Sequence, residues 1–414
     1  VAGGIAVVTC IELPYGAPEP LILEIGEDAL VADCRGPAGA SGAAAGDLVR
    51  AAVDDAADGL ALAAQVVPGD RVAIAVGNAV PQAEAVLAAV CARLLAAGIA
   101  PADLTVLSAP PLEILGAPQP AQVIAPSGVV SAPFLPATDV QTSYIAADAA
   151  GQPIHLARTL VDADVVVSIG AWCWDAALGG ESPTGELWPA FSRQACRQRL
   201  IRELALRGRR AVADWRACTD EAIWQLGMTA SLRVVPGRRN TLAAACFGLP
   251  NVAARRARRD AADWRPEVSG RAALTVASLA DPAGGLPAVL RAVAAAAHTT
   301  APGGTICVAS RLAEAPGVIF ARWREGAPLE GLVREAVATG DQALIGDAFR
   351  TRFFARCLGG RRLVLLSDLE ETTVEDLEIG HAATPEVVER LAHRAESVVV
   401  LHEADFLLPR VAAR

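Results

Sequence analysis

Residues 67–76 read Val-Pro-Gly-Asp-Arg-Val-Ala-Ile-Ala-Val; Pro81 to Ala97 follows with Gly98 behind it, and then Leu-Thr-Val-Leu at 104–107. The Pro-Gly-Asp turn leads into Arg71–Val76, a short, nearly unbroken apolar run of the buried-strand type. Proline in the first turn and glycine just past the end bracket a helix over 81–97. A second apolar run begins at Leu104. Strand, helix and strand of these lengths predict a βαβ unit and a parallel sheet.

The same alternation extends outward. Upstream, Leu21–Ile25 reads as a strand, Gly36–Gly46 as a Gly/Ala-rich turn region and Asp47–Ala64 as a helix. Downstream, Asp164–Ile169 is a further buried strand ending at Gly170. Helices are expected at Arg193–Leu206 and Thr219–Leu226, and strands at Ser231–Val235 and Leu242–Cys246. The run Arg255, Arg256, Arg258 and Arg259 lies on a polar helix, as a solvated face or a phosphate contact, and marks a boundary near 261–270. Beyond it come strand Ala273–Ala277, helix Pro287–Ala297, strand Thr305–Ala309, helices Leu329–Ala338 and Gln342–Cys357, strand Leu363–Leu366, helix Pro385–Arg394 and strand Ser397–Leu401. The expected fold class is α/β: two domains, 1–265 and 266–414, with mainly parallel sheets facing an interdomain cleft.

Composition narrows the function. Of 414 residues, 53% are hydrophobic and 20% charged, with a mean hydropathy of +0.37, which excludes a long disordered chain. The net charge of −10 argues against nucleic acid or an anionic membrane as the main partner. All 36 basic residues are arginine. Without lysine there is no Schiff base, no P-loop lysine and no lysine-tethered cofactor. The nine cysteines are scattered, without a Cys-x-x-Cys pair, as expected of reduced thiols. The longest uncharged stretch, Ile114–Thr138, carries five prolines and reads as a loop rather than a membrane span. No signal peptide is recognised, and cytoplasm is the default location.

The catalogue of catalytic motifs assigns no reaction. There is no Gly-x-Gly-x-x-Gly after a strand, no His-Glu-x-x-His and no Gly-x-Ser-x-Gly. The five histidines, His155, His298, His381, His393 and His402, do not fall at metal-ligand spacing.

Taken in order, several stretches resemble the nickel-pincer-nucleotide lactate racemase family over nearly the whole chain. They are Leu13-Pro-Tyr-Gly16, Val67-Pro-Gly-Asp-Arg-Val72, Ala96-Ala-Gly-Ile-Ala100 with Asp103-Leu-Thr, Ala163-Asp-Val-Val-Val-Ser-Ile-Gly170, Phe247-Gly-Leu-Pro-Asn251 and Ala301-Pro-Gly-Gly-Thr-Ile306. The resemblance implies a nicotinate-derived nucleotide held covalently by a lysine, a nickel ion bound by the cofactor and one histidine, and two histidines exchanging the proton while hydride leaves and returns. Arginine and lysine would hold the substrate carboxylate and the cofactor phosphate.

The sequence departs from that pattern at most of these points. The family's Asp-x-Thr-Arg-Pro turn corresponds to Asn78-Ala-Val-Pro81, and its Gly-Thr-His-Arg-Pro segment to Ser108-Ala-Pro-Pro111. Asp175 stands where the resemblance places the second proton-transfer histidine, and Gly185 where it places the tethering lysine. Arg197–Arg202 contains no nickel-binding histidine, and none lies between His155 and His298. Arg291 replaces the later anion-binding lysine. The expectation is therefore no tethered cofactor and no metal.

The remaining candidates are few. Asp175 and Glu181 are the candidate acid/base groups, in a loop containing Gly179, Gly180 and Ser182 that suits a small anion, or that survives only for its turns with Trp172 and Trp174 in the core. Arg291, alone among Ala, Val and Leu, faces either solvent or an anion. Asn78 follows a parallel strand, where ligands gather in α/β sheets, or simply turns the chain. Glu113 and Asp281 are further acids, and His155 reads as structural, ahead of a helix-like run at Leu156–Leu160. Three readings stay open. One is a diverged protein that binds a small hydroxy acid, sugar acid or nucleotide, with acid/base isomerisation or elimination as any chemistry it performs. The second is a non-catalytic paralogue that binds a partner protein or a second copy of itself. The third is an active racemase or epimerase of 2-hydroxy acids with an altered site.

Overall fold

The computed structural model describes residues 8–56, 59–77, 79–108, 125–134, 141–175, 180–181, 187–281 and 284–412. The chain forms two compact units. One is Pro37–Ala262; the other joins the described residues up to Gly36 to Asp263–Arg414.

The chain begins with the antiparallel hairpin β1 (Val8–Leu13) and β2 (Leu21–Gly26), followed by β3 (Leu30–Cys34). Ile11, Leu13, Leu21, Leu23 and Ile25 are buried while Cys10 and Ile22 are exposed, the period-2 pattern of a hairpin with one face on a core.

The Pro37–Ala262 unit runs α1 (Gly42–Asp54), β4 (Val72–Val76), α2 (Ala83–Ala96), β5 (Leu104–Ser108), β6 (Val130–Pro133), β7 (Thr142–Ala147), β8 (Pro153–Ala157), α3 (Arg158–Val161), β9 (Val165–Ala171), β10 (Trp174–Asp175), β11 (Gly180–Glu181), α4 (Gln194–Arg207), α5 (Arg209–Gln225), β12 (Ala230–Gly237), β13 (Thr241–Gly248) and α6 (Pro250–Asp260). Its six-stranded sheet has the order β13-β12-β9-β4-β5-β6, parallel except for β13. The expected βαβ unit is β4-α2-β5. One face of the sheet, with Ile74, Val106, Val167, Ile169, Leu232 and Val234, shares a core with Val49, Val53, Leu87, Val90 and Leu94 of α1 and α2. The other face carries Ser168 and Ser231, fully buried and joined Oγ to Oγ at 3.0 Å, and Arg233, which is 4% exposed.

The other unit continues with β14 (Glu267–Val268), β15 (Ala272–Ser278), α7 (Gly285–Thr299), β16 (Thr300–Ala309), α8 (Val318–Arg324), α9 (Leu329–Thr339), α10 (Gln342–Leu358), β17 (Arg362–Leu366), α11 (Glu371–Asp376), β18 (Gly380–His381), α12 (Pro385–Arg394), β19 (Val398–Leu401) and β20 (Arg410–Val411). Its sheet order is β18-β17-β16-β15-β19-β3, all parallel. Leu274, Val276, Val398 and Val400 pack with the β1–β2 hairpin and with Val388 and Ala392 of α12.

The expected division at 1–265 and 266–414 differs from this one at the N-terminus. Strand β3 pairs with β19, and the hairpin closes the same core, so both belong with the C-terminal residues. Gly36 lies at the crossing point between the units. A Cβ there would overlap the ring of Trp264, which is fully buried, so only glycine lets the backbone pass that close. The change of unit at Ala262/Asp263 falls inside the expected boundary, and Arg255, Arg256, Arg258 and Arg259 are exposed on α6.

Three local expectations change. The first helix starts at Gly42 and stops at Asp54, short of the expected Ala64. The second helix of the α4–α5 pair starts at Arg209 rather than Thr219. His155 and Leu156 lie in β8, and the helix-like run expected from Leu156 begins only at Arg158 with α3: His155 is buried and stands edge-on to Tyr144, ring centroids 5.9 Å apart. All nine cysteines are free thiols. No helix among the described residues is long and apolar enough to cross a membrane.

Candidate functional site

The loop expected to carry acid/base chemistry follows β9. Trp172 is 5% exposed and its N–H donates to the Val234 carbonyl at 2.7 Å, extending the sheet by one residue; Trp174 is 6% exposed. Trp174 pairs with Glu181 and Asp175 with Gly180, so Asp175, Gly180 and Glu181 share one short hairpin. Asn78, Gly179 and Ser182 lie outside the described residues, as do Glu113 and Gly185.

Arg291 belongs to the other unit. It sits two turns into α7, on a helix most of whose Ala, Val and Leu side chains are buried. Its guanidinium meets the Asp405 carboxylate at 3.6 Å, and both side chains are nearly buried, at 14% and 12% exposure. Burial pushes the Asp405 carboxyl above its ordinary value; Arg291 opposes the rise and Asp281 adds to it. Asp281 follows β15 and Asp405 follows β19. These strands are neighbours in the sheet, and the Ala404 N–H donates to the Ser278 carbonyl at 2.9 Å. The chain leaves β15 through α7 toward β16 on one side, while β19 lies on the other. That reversal at the carboxyl ends of parallel strands is where α/β sheets take ligands.

The same edge holds a pair that sequence reading missed. His402 Nε2 lies 2.8 Å from Asp33 Oδ1, and the His402 N–H donates to the Cys34 carbonyl at 3.0 Å. Burial raises the Asp33 carboxyl, but hydrogen bonds from His402 and Arg35 outweigh it and hold it below its ordinary value. The available signal was position: His402 comes directly after the apolar strand Val398–Leu401. Ser278, fully buried at the end of β15, keeps a hydroxyl without a hydrogen-bond partner among the described residues.

The edge can hold an anion and orient a proton-carrying imidazole. Burial disfavours the thiolate at five cysteines: it pushes the Cys34 and Cys218 thiols up to about 11 and those of Cys91, Cys246 and Cys307 up to about 12. Among the described residues, no three His, Cys, Asp or Glu side chains are grouped to hold a metal ion.

No protein-family model matches the chain, and no curated protein matches it. Solved structures do. The lactate racemase apoprotein from Thermoanaerobacterium thermosaccharolyticum matches with a TM-score of 0.72 at 15% identity, over 97% of this chain and 100% of that one. A protein from Thermotoga maritima matches with a TM-score of 0.59 at 10% identity, over 89% of this chain and 97% of that one. The chain therefore has a lactate-racemase-like α/β fold.

Proposed function

We propose that this protein is a diverged lactate-racemase-fold protein that binds a small anion, a hydroxy acid or a nucleotide, without a tethered nickel-pincer nucleotide. The residues do not fit that group. Its tether is a lysine and the chain has none; its nickel ligand is a histidine and none lies between His155 and His298. The nine free thiols suit a reducing compartment, and we place the protein in the cytoplasm.

The observation that carries the binding reading is the Arg291–Asp405 pair at the carboxyl edge of the sheet. A guanidinium held by a carboxylate whose pKa is raised makes an exchangeable anion site. When Asp405 takes a proton, its charge no longer competes for Arg291, and a carboxylate or phosphate can accept from the guanidinium in its place. Affinity then rises as pH falls toward the folded-state pKa of Asp405, because the folded protein with its anion binds the extra proton.

Calorimetric titration of the full chain with 2-hydroxy acids, sugar acids and nucleotides tests this. At least one should bind more tightly at pH 5 than at pH 8, Arg291→Ala should abolish binding, and Asp405→Asn should flatten the pH dependence. Unchanged affinity in Arg291→Ala removes Arg291 from the site. The second reading, a partner-binding protein without catalysis, has one observation in its favour: Trp172 and Trp174, in the loop that should bear the chemistry, are buried.

A further inference from the structure

A second site lies wholly within the Pro37–Ala262 unit and shares no residue with the Arg291–Asp405 and His402–Asp33 pairs. Helices α4 and α5 and the turn closing β7–β8 surround a cavity of about 920 Å³, within the size range of small-molecule sites. Cys196, Arg199, Leu200, Glu203 and Arg207 recur at three- and four-residue spacing and form one face of α4. Trp188 and Trp215 supply aromatic wall, each 3% exposed.

Polar groups fix one end. Asp148 Oδ1 accepts the N–H groups of Ala150 at 2.9 Å and Gln152 at 2.8 Å. Its Oδ2 accepts from Arg199 Nη2 at 3.3 Å and from the Cys218 thiol at 3.9 Å. Arg207 is shared between Glu203 at 3.3 Å and Asp214 at 2.8 Å. Both guanidiniums are thus engaged, and the lining carries four carboxylates, Asp148, Glu203, Asp214 and Glu221, against these two cations. Glu221 accepts a hydrogen bond from Gln225 at 2.7 Å and has no cation against it among the described residues. The indole N–H groups of Trp188 and Trp215 have no acceptor among the described residues.

We propose that this cavity binds an organic cation, of the class of an alkylammonium. The surplus of carboxylates selects positive charge, with Glu221 as its counter-ion. Tryptophan walls favour an alkylammonium over a hydrated metal ion, since a ring face attracts an organic cation and shields its carbon body.

Three probes of one skeleton test the proposal on the full chain by calorimetry: N-(4-aminobutyl)acetamide, the neutral N-butylacetamide and the anionic 4-acetamidobutanoate. The cation should bind about tenfold more tightly than the neutral probe, and the anion should not bind. Glu221→Gln, on a half-exposed position, should erase most of that preference and leave the neutral probe unchanged. Arg291→Ala should leave cation binding intact, which separates this site from the anion site. Equal affinity for all three probes, preference for the anion, no binding of the cation at about 10 mM, or an unchanged preference in Glu221→Gln would each overturn the assignment.

Discussion

The two six-stranded sheets differ in where their charged groups lie, although both bury hydroxyls within strands, Thr275 of β15 with Thr299 and Thr300 as well as Ser168 with Ser231. In the Pro37–Ala262 unit a buried charge lies within a strand: Arg233 sits in the middle of β12, whose Ser231 bonds Ser168 of β9. In the other unit charged pairs gather at the carboxyl ends of the strands: His402, just past β19, with Asp33 near the end of β3, Asp405, past β19, with Arg291 of α7, and Arg311 with Asp368 at 2.7 Å. A polar group inside a sheet is fixed by its ladder neighbours and serves register. A charged pair past a strand end can exchange one partner for a ligand. The proposed anion site uses the edge formed by β15, β19 and β3, and the serine pair takes a structural role.

The hardest way to break this comparison is Arg291→Met. It leaves Asp405 buried without its cation and should cost about 3–5 kcal/mol in urea unfolding. Adding Asp405→Leu should restore most of that loss, because an apolar pair of similar volume carries no stranded charge. If Arg291→Met alone were neutral, Arg291 would not be held by Asp405 and the exchange argument would fail.

A smaller effect is expected at Asp33. Its carboxyl titrates below its ordinary value of 3.8, so its contribution is complete above that value and is lost as pH falls through the folded-state pKa. Asp33→Asn should lower stability at pH 7 by about 1–2 kcal/mol. Acid unfolding of the variant should be shallower below about pH 4 than that of the wild type. An identical acid limb in the two proteins would remove the His402–Asp33 pair from the account.

The smallest effect separates the serine pair from the edge. Ser231→Ala leaves the Ser168 hydroxyl buried without its partner and should cost about 1 kcal/mol, while the double change to alanine should come back close to wild type. Anion affinity should not move in either variant. A change there would place the serines in the ligand site and erase the contrast between the sheets.

Much of the framework was legible in the sequence, because strands buried on both faces are short apolar runs between turn signals. Val72–Val76, Ala272–Ser278 and Arg362–Leu366 announced themselves in this way, and Pro385–Arg394 by its leading proline. The start of α1 was hidden because glycine and alanine at 42–46 read as a turn. Strand β8 was hidden because Ile-His-Leu-Ala is too short to show a period. The docking of β3 on β19 could not be read from local pattern, since register between distant strands is set by the assembled core. The edge itself was half legible. Arg291 stood out as the one charge on an alanine-rich helix, but Asp405 and the Asp33–His402 pair, 369 residues apart in sequence, meet only through the sheet.

The central claim, that this lactate-racemase fold works without the tethered nickel nucleotide, is tested most directly by intact mass and nickel content. The full chain should be produced in cells that also make the cofactor. An unmodified mass and no stoichiometric nickel are the expected result. Nickel bound one to one, or a mass increased by the nucleotide, would contradict it and turn the work to racemisation of 2-hydroxy acids.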